Sequence, residues 1–150
     1  MPKFSVKTKS FSESFSLAES VCPARTPKEC LKFVALRYGK ESFLEATDLE
    51  LVIRVGLGEE FSSDTDGVVL MPALRMGQIL KEVRGDDLSL DLGEGRYTVK
   101  GGMSSFKVQT ASPDDFPPPG EFDWSSGHYS IPCVSLRSAF RHCISSIGDE

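Results

Sequence analysis

The chain repeats one local pattern, a short apolar strand that turns directly into an amphipathic helical run. The pattern occurs around Pro72, from Gly67 to Met76, and again around Pro132, from His128 to Arg137. A version without proline opens the chain, from Lys3 to Val21. A repeated supersecondary unit dictates architecture, because each copy leaves an apolar face that another copy must cover. The sequence therefore predicts stacked copies of one unit.

Each helical run has one apolar face with spacings of three and four residues, which is typical of a half-buried helix. The first run is predicted to span residues 11–21. The second is predicted to begin at Pro72, because proline costs nothing at the first helical position, and to end with Gly85 as its C-cap. The apolar stripes are Phe11, Phe15, Ala18 and Val21, then Ala73, Met76, Ile79, Leu80 and Val83, and in the third run Leu136, Phe140, Cys143, Ile144 and Ile147.

Three strand-like segments follow each of the first two helical runs. They are predicted at 29–37, 42–47 and 49–55 in the first copy and at 88–92, 97–99 and 103–108 in the second, with a polar loop at 56–67. Glycines at 93, 95, 101 and 102 suit hairpin turns. Residues 1–110 are therefore predicted to be an α+β domain of two β-α-β-β-β units, with helices on one side and antiparallel sheets on the other.

The end of the chain is expected to belong to another domain. Residues 111–127 are rich in proline and are predicted to be an interdomain linker. Residues 128–150 supply the opening strand and helix of a third unit, but no further strands follow. We therefore expect a truncated second domain, and the sequence leaves open whether the stop is natural.

Composition excludes several classes of protein and site. The net charge of −5 over 150 residues does not indicate general nucleic-acid binding, although a local basic surface is compatible with it. Cysteines at 22, 30, 133 and 143 form no C-x-x-C pair and are not spaced with the two histidines as zinc ligands. No segment is long and apolar enough to span a membrane. Neither a metal nor a cofactor is expected.

Four short sequence motifs, here called family words, resemble those of a known family. These are Lys3-Phe4-Ser5-Val6 near the start, Arg25-Thr26-Pro27, Ala46-Thr47-Asp48-Leu49-Glu50, and Ser112-Pro113-Asp114-Asp115-Phe116-Pro117. In this order, and on this repeat, they resemble the bacterial DNA polymerase III beta subunit, the sliding clamp. The resemblance covers essentially the whole chain but only the first part of a clamp subunit, namely its first domain, the linker and the opening of the second domain.

The resemblance implies a processivity factor and not an enzyme. In this family two subunits join head to tail into a ring around duplex DNA, with helices lining the hole, and the ring tethers the replicative polymerase. The implied partners are double-stranded DNA without sequence preference, DNA polymerase III, the clamp loader and a second clamp subunit, all in the cytoplasm at the nucleoid. Two alternatives remain: a stand-alone clamp-like interaction or regulatory domain that does not encircle DNA, and an unrelated α+β binding protein.

The resemblance also suggests residues that approach DNA. These are Arg25 in the loop after the first helix, Lys81 and Arg84 on the second helix, and Arg137 and Arg141 on the third. The alternative for each is an ordinary solvated cation. The first helix departs from the family pattern, because its polar face carries serine and glutamate where basic residues are expected.

A subunit interface is expected on the strand at 103–110, which matches the edge strand that meets the neighbouring clamp subunit. Phe106 and Val108 would be its apolar anchors, with Arg75 as an ionic neighbour. The alternative is that Phe106 and Val108 face the interior of their own domain, and alternation alone does not separate the two.

Overall fold

The computed structural model describes residues 2–118, 127, 129–144 and 146–147. These residues fall into two compact units, 1–118 and 119–150, and each unit is described by itself. In the first unit the elements are β1 (Lys3–Lys7), α1 (Thr8–Glu19), β2 (Phe33–Tyr38), β3 (Phe43–Thr47), β4 (Val52–Gly56), β5 (Gly67–Pro72), α2 (Ala73–Glu82), β6 (Asp87–Gly93), β7 (Arg96–Gly101) and β8 (Ser104–Gln109). In the second unit α3 spans Cys133–Ile144.

The first unit contains two four-stranded antiparallel sheets that exchange strands between the repeats. One sheet has the order β1-β6-β7-β8 and the other the order β4-β3-β2-β5. Each repeat thus contributes its opening strand to the sheet of the other repeat, as in the pairing of Val6 with Leu88 and of Val34 with Met71. The α+β fold built from two β-α-β-β-β units is confirmed, and the exchange ties the two units into one domain.

One apolar core lies between the two helices and the inner faces of the sheets. The stripes of α1 and α2 are buried as predicted, with Val21 partly buried at the end of the first. Phe61, in the segment predicted to be a polar loop, is also buried, because a short 3₁₀ turn (Glu59–Phe61) turns its ring inward. Its ring centroid lies 5.3 Å from that of Phe4 and 5.4 Å from that of Phe11. The contact joins β1 to α1.

Several predicted element boundaries are wrong, and α1 spans Thr8–Glu19 and not residues 11–21. Residues 29–32 form a 3₁₀ turn that buries Leu31, so the strand begins at Phe33. Pro72 ends β5, opposite Phe33, and does not open α2. The helix ends at Glu82, because Val83 is extended with its side chain in the core.

Gly85 is therefore not the C-cap of α2. It has a φ of +138° in the turn to β6, where a Cβ would lie 3.2 Å from the backbone nitrogen of Gly102. Close approach of two chain segments explains glycine at this position.

The word Ala46-Thr47-Asp48-Leu49-Glu50 builds the turn between β3 and β4. Leu49 has a φ of +83°, the one positive value for a non-glycine residue among those described. The backbone N–H of Leu49 donates to Thr47 Oγ1 (2.9 Å), and that of Leu51 donates to Asp48 Oδ1 (2.7 Å). The pKa of Asp48 is lowered by its hydrogen bonds from the backbone N–H of Leu51, which has the largest effect, and from that of Glu50. The turn delays β4, which begins at Val52 and not at Leu49.

Replacing Leu49 with glycine is expected to stabilise the domain by roughly 1 kcal/mol, because the left-handed backbone is costly for leucine and free for glycine. Little burial is lost, since Leu49 is 52% exposed. Leu51→Gly is the matched control: Leu51 is 56% exposed but has no positive φ, so its loss should destabilise. Urea unfolding of both variants measures the effect. Equal destabilisation by the two changes would contradict the assigned backbone strain.

Residues 111–118 pack on the first unit, although they were predicted to be linker. Phe116 lies with Ala35 and Leu70 on the outer side of β2 and β5. Thr110 Oγ1 accepts a hydrogen bond from the backbone N–H of Leu70 (3.0 Å). The rest of the predicted linker, apart from Gly127, lies outside the described residues. The division at residue 110 stays a prediction.

The second unit contains the predicted third helix, and all of its side chains are exposed within that unit. The described residues before it, 129–132, form no strand. A strand requires a hydrogen-bonded neighbour, and the described part of this unit provides none. The opening strand predicted for this unit stays a prediction.

Candidate nucleic-acid interface

The two helices of the first unit lie side by side and share one exposed face, here called the helix face. Gly77 on α2 permits the contact, because a Cβ there would lie 2.6 Å from the Glu19 carboxylate of α1. The exposed side chains are Lys9, Ser10, Glu13, Ser16, Leu17 and Ser20 on or directly after α1, and Leu74, Arg75, Gln78, Lys81, Glu82 and Arg84 on or directly after α2.

Positive charge on the helix face belongs to α2 and the residues after it. Arg75, Lys81 and Arg84 are exposed there, with the carboxylate of Glu82 on α2 and that of Asp86 two residues after Arg84. On α1 the charge of Lys9 is balanced by Glu13, and most remaining exposed positions are serines. The departure of the first helix from a basic pattern therefore persists in the folded chain. The net positive charge of this face therefore lies on its α2 side.

The other cations suggested by the sequence belong to other elements than α2. Arg25 is exposed in the loop between α1 and the 3₁₀ turn at Glu29–Lys32. Arg137 and Arg141 are exposed on α3, which belongs to the second unit. Their assignment to DNA stays a prediction.

The strand at 103–110 is β8, an edge strand, but its apolar side chains face inward. Val108 is 7% exposed and lies in the core, and Phe106 is half-buried against the same core. The side chain of Val108 is thus covered by its own domain, and its part in a subunit interface stays a prediction. Arg75 lies on α2 and makes no ion pair within the described part of the chain. The interface itself stays a prediction, and it would use the backbone edge of β8.

Two titratable side chains of the first unit have strongly raised pKa values. Burial, and secondarily the nearby Glu19 carboxylate, raises the pKa of the Cys22 thiol to about 11, so the thiol stays protonated at neutral pH. Burial likewise raises the pKa of Tyr97, whose hydroxyl donates to Met76 Sδ (3.8 Å). Across the described ranges no three His, Cys, Asp or Glu side chains are placed to hold a metal ion.

No helix in the described part of the chain is long and apolar enough to cross a bilayer.

Sequence reasoning missed a second basic surface, on the outward side of the sheet β1-β6-β7-β8. Arg96 and Lys100 on β7 and Lys107 on β8 point outward there. The alternation that identifies these strands also separates these cations from the buried Tyr97, Val99 and Val108. The alternation is visible in the sequence, but only the pairing of β7 with β8 shows that the charges lie together.

Two strand-exchanged β-α-β-β-β units, with paired helices over antiparallel sheets, define a domain of the DNA-clamp class. The sequence model of the DNA polymerase III beta subunit, N-terminal domain, matches residues 2–119. This chain belongs to that family. The resemblance inferred from the four sequence words is thereby confirmed.

Solved clamp structures share the fold of the chain. The DNA polymerase III subunit beta of Pseudomonas aeruginosa is 29% identical, with a TM-score of 0.73 over 91% of this chain and 37% of that chain. The beta clamp of Helicobacter pylori, solved with a DNA ligase peptide, is 20% identical, with a TM-score of 0.69 over 81% and 34%. The beta subunit of Streptococcus pyogenes is 13% identical, with a TM-score of 0.74 over 82% and 34%. The chain thus spans about a third of these relatives. No curated protein sequence matches it.

Proposed function

We propose that the chain is the N-terminal module of a DNA sliding clamp subunit that encircles duplex DNA and confers processivity on the replicative polymerase. The family match over residues 2–119 carries the proposal, because it coincides with the compact first unit. The module is not an enzyme; it holds DNA through a closed ring. Its setting is the cytoplasm at the nucleoid.

The proposed DNA contacts are Lys81 and Arg84 on the α2 side of the helix face, and Arg25 in the loop that follows α1. Exposed cations that contact phosphates and not base edges suit a sliding protein, since phosphate contacts position a protein on DNA without specifying sequence. Arg137 and Arg141 would extend this contact in the second domain. The proposed partners are DNA polymerase III, the clamp loader and a second subunit that pairs head to tail with the β8 edge.

A stand-alone clamp-like interaction domain that does not encircle DNA is the second candidate. The observation in its favour is the exposed side of α1, where Lys9 and Glu13 cancel and serines dominate. Such a surface attracts phosphates weakly. The two candidates differ in whether the module supports a ring that retains circular DNA.

The test is a domain exchange. Residues 2–118 replace the matching domain of the Pseudomonas aeruginosa subunit, and the purified chimera is loaded onto nicked circular DNA with that organism's clamp loader. We expect retention on circles during gel filtration and release once the circle is cut. Failure of a folded chimera to form a ring or to stay on circular DNA would favour the stand-alone domain.

Reversing charge at Lys81 and Arg84 in the same chimera should weaken the phosphate contact during loading. Two lost contacts lower the slope of log affinity against log salt by about 1.8, because each contributes about 0.9. Loading rate at increasing salt measures this change. Lys40→Glu, at an exposed turn between β2 and β3, is a control for added negative charge. Loading that is equally sensitive to Lys40→Glu would contradict a specific contact by α2.

A further inference from the structure

The outward side of the sheet β1-β6-β7-β8, here called the outer basic face, concentrates positive charge on an acidic chain. Strand alternation defines its members, since the intervening residues are buried in the core or packed against it. They are Lys3, Ser5 and Lys7 on β1, Asp87, Ser89 and Asp91 on β6, Arg96, Thr98 and Lys100 on β7, and Ser105, Lys107 and Gln109 on β8. Five are basic and two acidic, so the face has a net charge of +3 while the chain has −5.

The uncompensated charge lies on β7 and β8. Asp87 forms an ion pair with Lys7 (Nζ–Oδ1 2.7 Å), and Asp91 lies opposite Lys3 in the register. Asp87 is thus paired with Lys7, and Asp91, which lies opposite both Lys3 and Thr98, is the one acidic side chain of the face next to β7. Arg96, Lys100 and Lys107 form no ion pair with any described residue.

The register brings these cations close together on a flat surface. Lys100 lies opposite Ser105, and Thr98 lies opposite Lys107, so the two lysines are diagonal neighbours. Diagonal positions on paired strands are about 7–8 Å apart. The hydroxyls of Thr98 and Ser105 lie between them as hydrogen-bond donors. Lysines interleaved with hydroxyls are the side chains that most often contact phosphate oxygens of DNA.

The absence of apolar side chains narrows the partner. All twelve members of the outer basic face are polar or charged. Protein interfaces rely on buried aromatic or aliphatic anchors at their centre, and single-stranded nucleic acid is held by base stacking on aromatic rings. This face provides neither. A duplex, whose accessible chemistry is its phosphate backbone, is the polyanion that fits.

We propose that the outer basic face binds the phosphate backbone of a duplex DNA segment, separately from the helix face. The two surfaces lie on opposite sides of the core, because the inner side of this sheet packs beneath α1 and α2. One DNA segment could not occupy both. The proposal goes beyond the clamp function, since it gives the module a contact with duplex DNA that does not pass through the ring.

The test measures binding of the 150-residue chain to a fluorescent 20-base-pair linear duplex by anisotropy, at several salt concentrations. Three single variants change the charge by the same amount: Lys100→Glu on the outer basic face, Lys81→Glu on the helix face, and Lys40→Glu on neither. All three side chains are exposed, and circular dichroism checks that each variant is folded. A Lys100→Glu, Lys107→Glu double variant gives the larger effect.

We expect Lys100→Glu to lower the salt slope by about 0.9 and the double variant by about 1.8, with Lys40→Glu close to the parent chain. Lys100→Glu behaving like Lys40→Glu would overturn the proposal, as would the absence of duplex binding at low salt. Displacement of the duplex by a poly-glutamate peptide of equal charge would instead assign the face to acidic proteins. If only Lys81→Glu weakens duplex binding, the helix-face proposal stands and this one is refuted. If only Lys100→Glu weakens it, this proposal stands and the helix-face proposal is refuted.

Discussion

Replacing both Arg37 and Arg54 with alanine is expected to lower the free energy of unfolding by about 3 to 5 kcal/mol, the cost typical of stranding a buried charge. The charge is that of Glu45, whose side chain is 2% exposed on the middle of three adjacent strands. Arg37 Nη2 donates to Oε1 (3.3 Å) and Arg54 Nε to Oε2 (2.6 Å). Without the guanidinium groups the carboxylate has neither water nor a counter-ion.

The arginines are the correct residues to remove, because they are the more exposed partners. Their side chains are 22% and 40% exposed, so in a Glu45→Ala variant both guanidinium groups can reach water and the loss is smaller. Arg54 also lies over the ring of Phe43, with 5.3 Å from Cζ to the ring centroid, which adds a cation–π contact on the covered side.

Urea unfolding measures the effect, and two further variants make it specific. Arg75→Ala with Arg84→Ala removes two exposed arginines that form no ion pair with any described residue, and it should change stability by about 0.5 kcal/mol or less. Arg37→Met, Glu45→Leu and Arg54→Met together should recover most of the loss, since an apolar triad carries no desolvation cost. If the double alanine variant matches the parent protein, Glu45 is reached by water and the assignment is wrong.

Much of the fold could be predicted because periodicity reports which side of an element is buried. The stripes of α1 and α2 and the alternation of β6 and β7 each pointed to one face, and those faces form the core. The hairpin glycines also followed from the sequence, since Gly95 and Gly102 have the positive φ that such turns require.

The remaining features depend on pairings between distant segments, which one sequence does not display. Periodicity gives the strands but not their neighbours, so the exchange of β1 and β5 between the sheets could not be inferred. The same limit applies to Glu45, whose two partners lie on other strands, and to Lys100 and Lys107, which meet only when β7 pairs with β8. For Val108, an apolar alternation has the same appearance whether a core or a second subunit covers it.

Proline content alone does not show which part of a segment packs on the domain before it. The segment after Thr110 looks like a linker because of its prolines, yet one aromatic residue anchors its first part to the sheet. Phe116 is 6% exposed against Ala35 and Leu70, and the 3₁₀ turn at Pro113–Asp115 sets its approach. The family word Ser112-Pro113-Asp114-Asp115-Phe116-Pro117 is thus a docking segment for the outer side of β2 and β5.

Replacing Phe116 with alanine should therefore detach residues 111–118 and cost about 3 kcal/mol, the lower end for loss of a buried phenylalanine. Detachment of the segment leaves no enclosed cavity, so the loss stays at that lower end. Hydrogen exchange should show faster exchange in residues 111–118, and the backbone N–H of Leu70 should lose protection because its acceptor, Thr110 Oγ1, lies at the start of the segment.

Phe140→Ala on α3 is the matched control, because Phe140 is 60% exposed and its removal leaves no cavity in the described part of the chain. Its effect on unfolding should be within about 0.5 kcal/mol. Limited proteolysis separates local from global effects: cleavage of the Phe116→Ala variant should begin within 111–118 while the two sheets stay intact. If Phe116→Ala is as stable and as resistant as Phe140→Ala, residues 111–118 are a linker after all, and the module ends at β8.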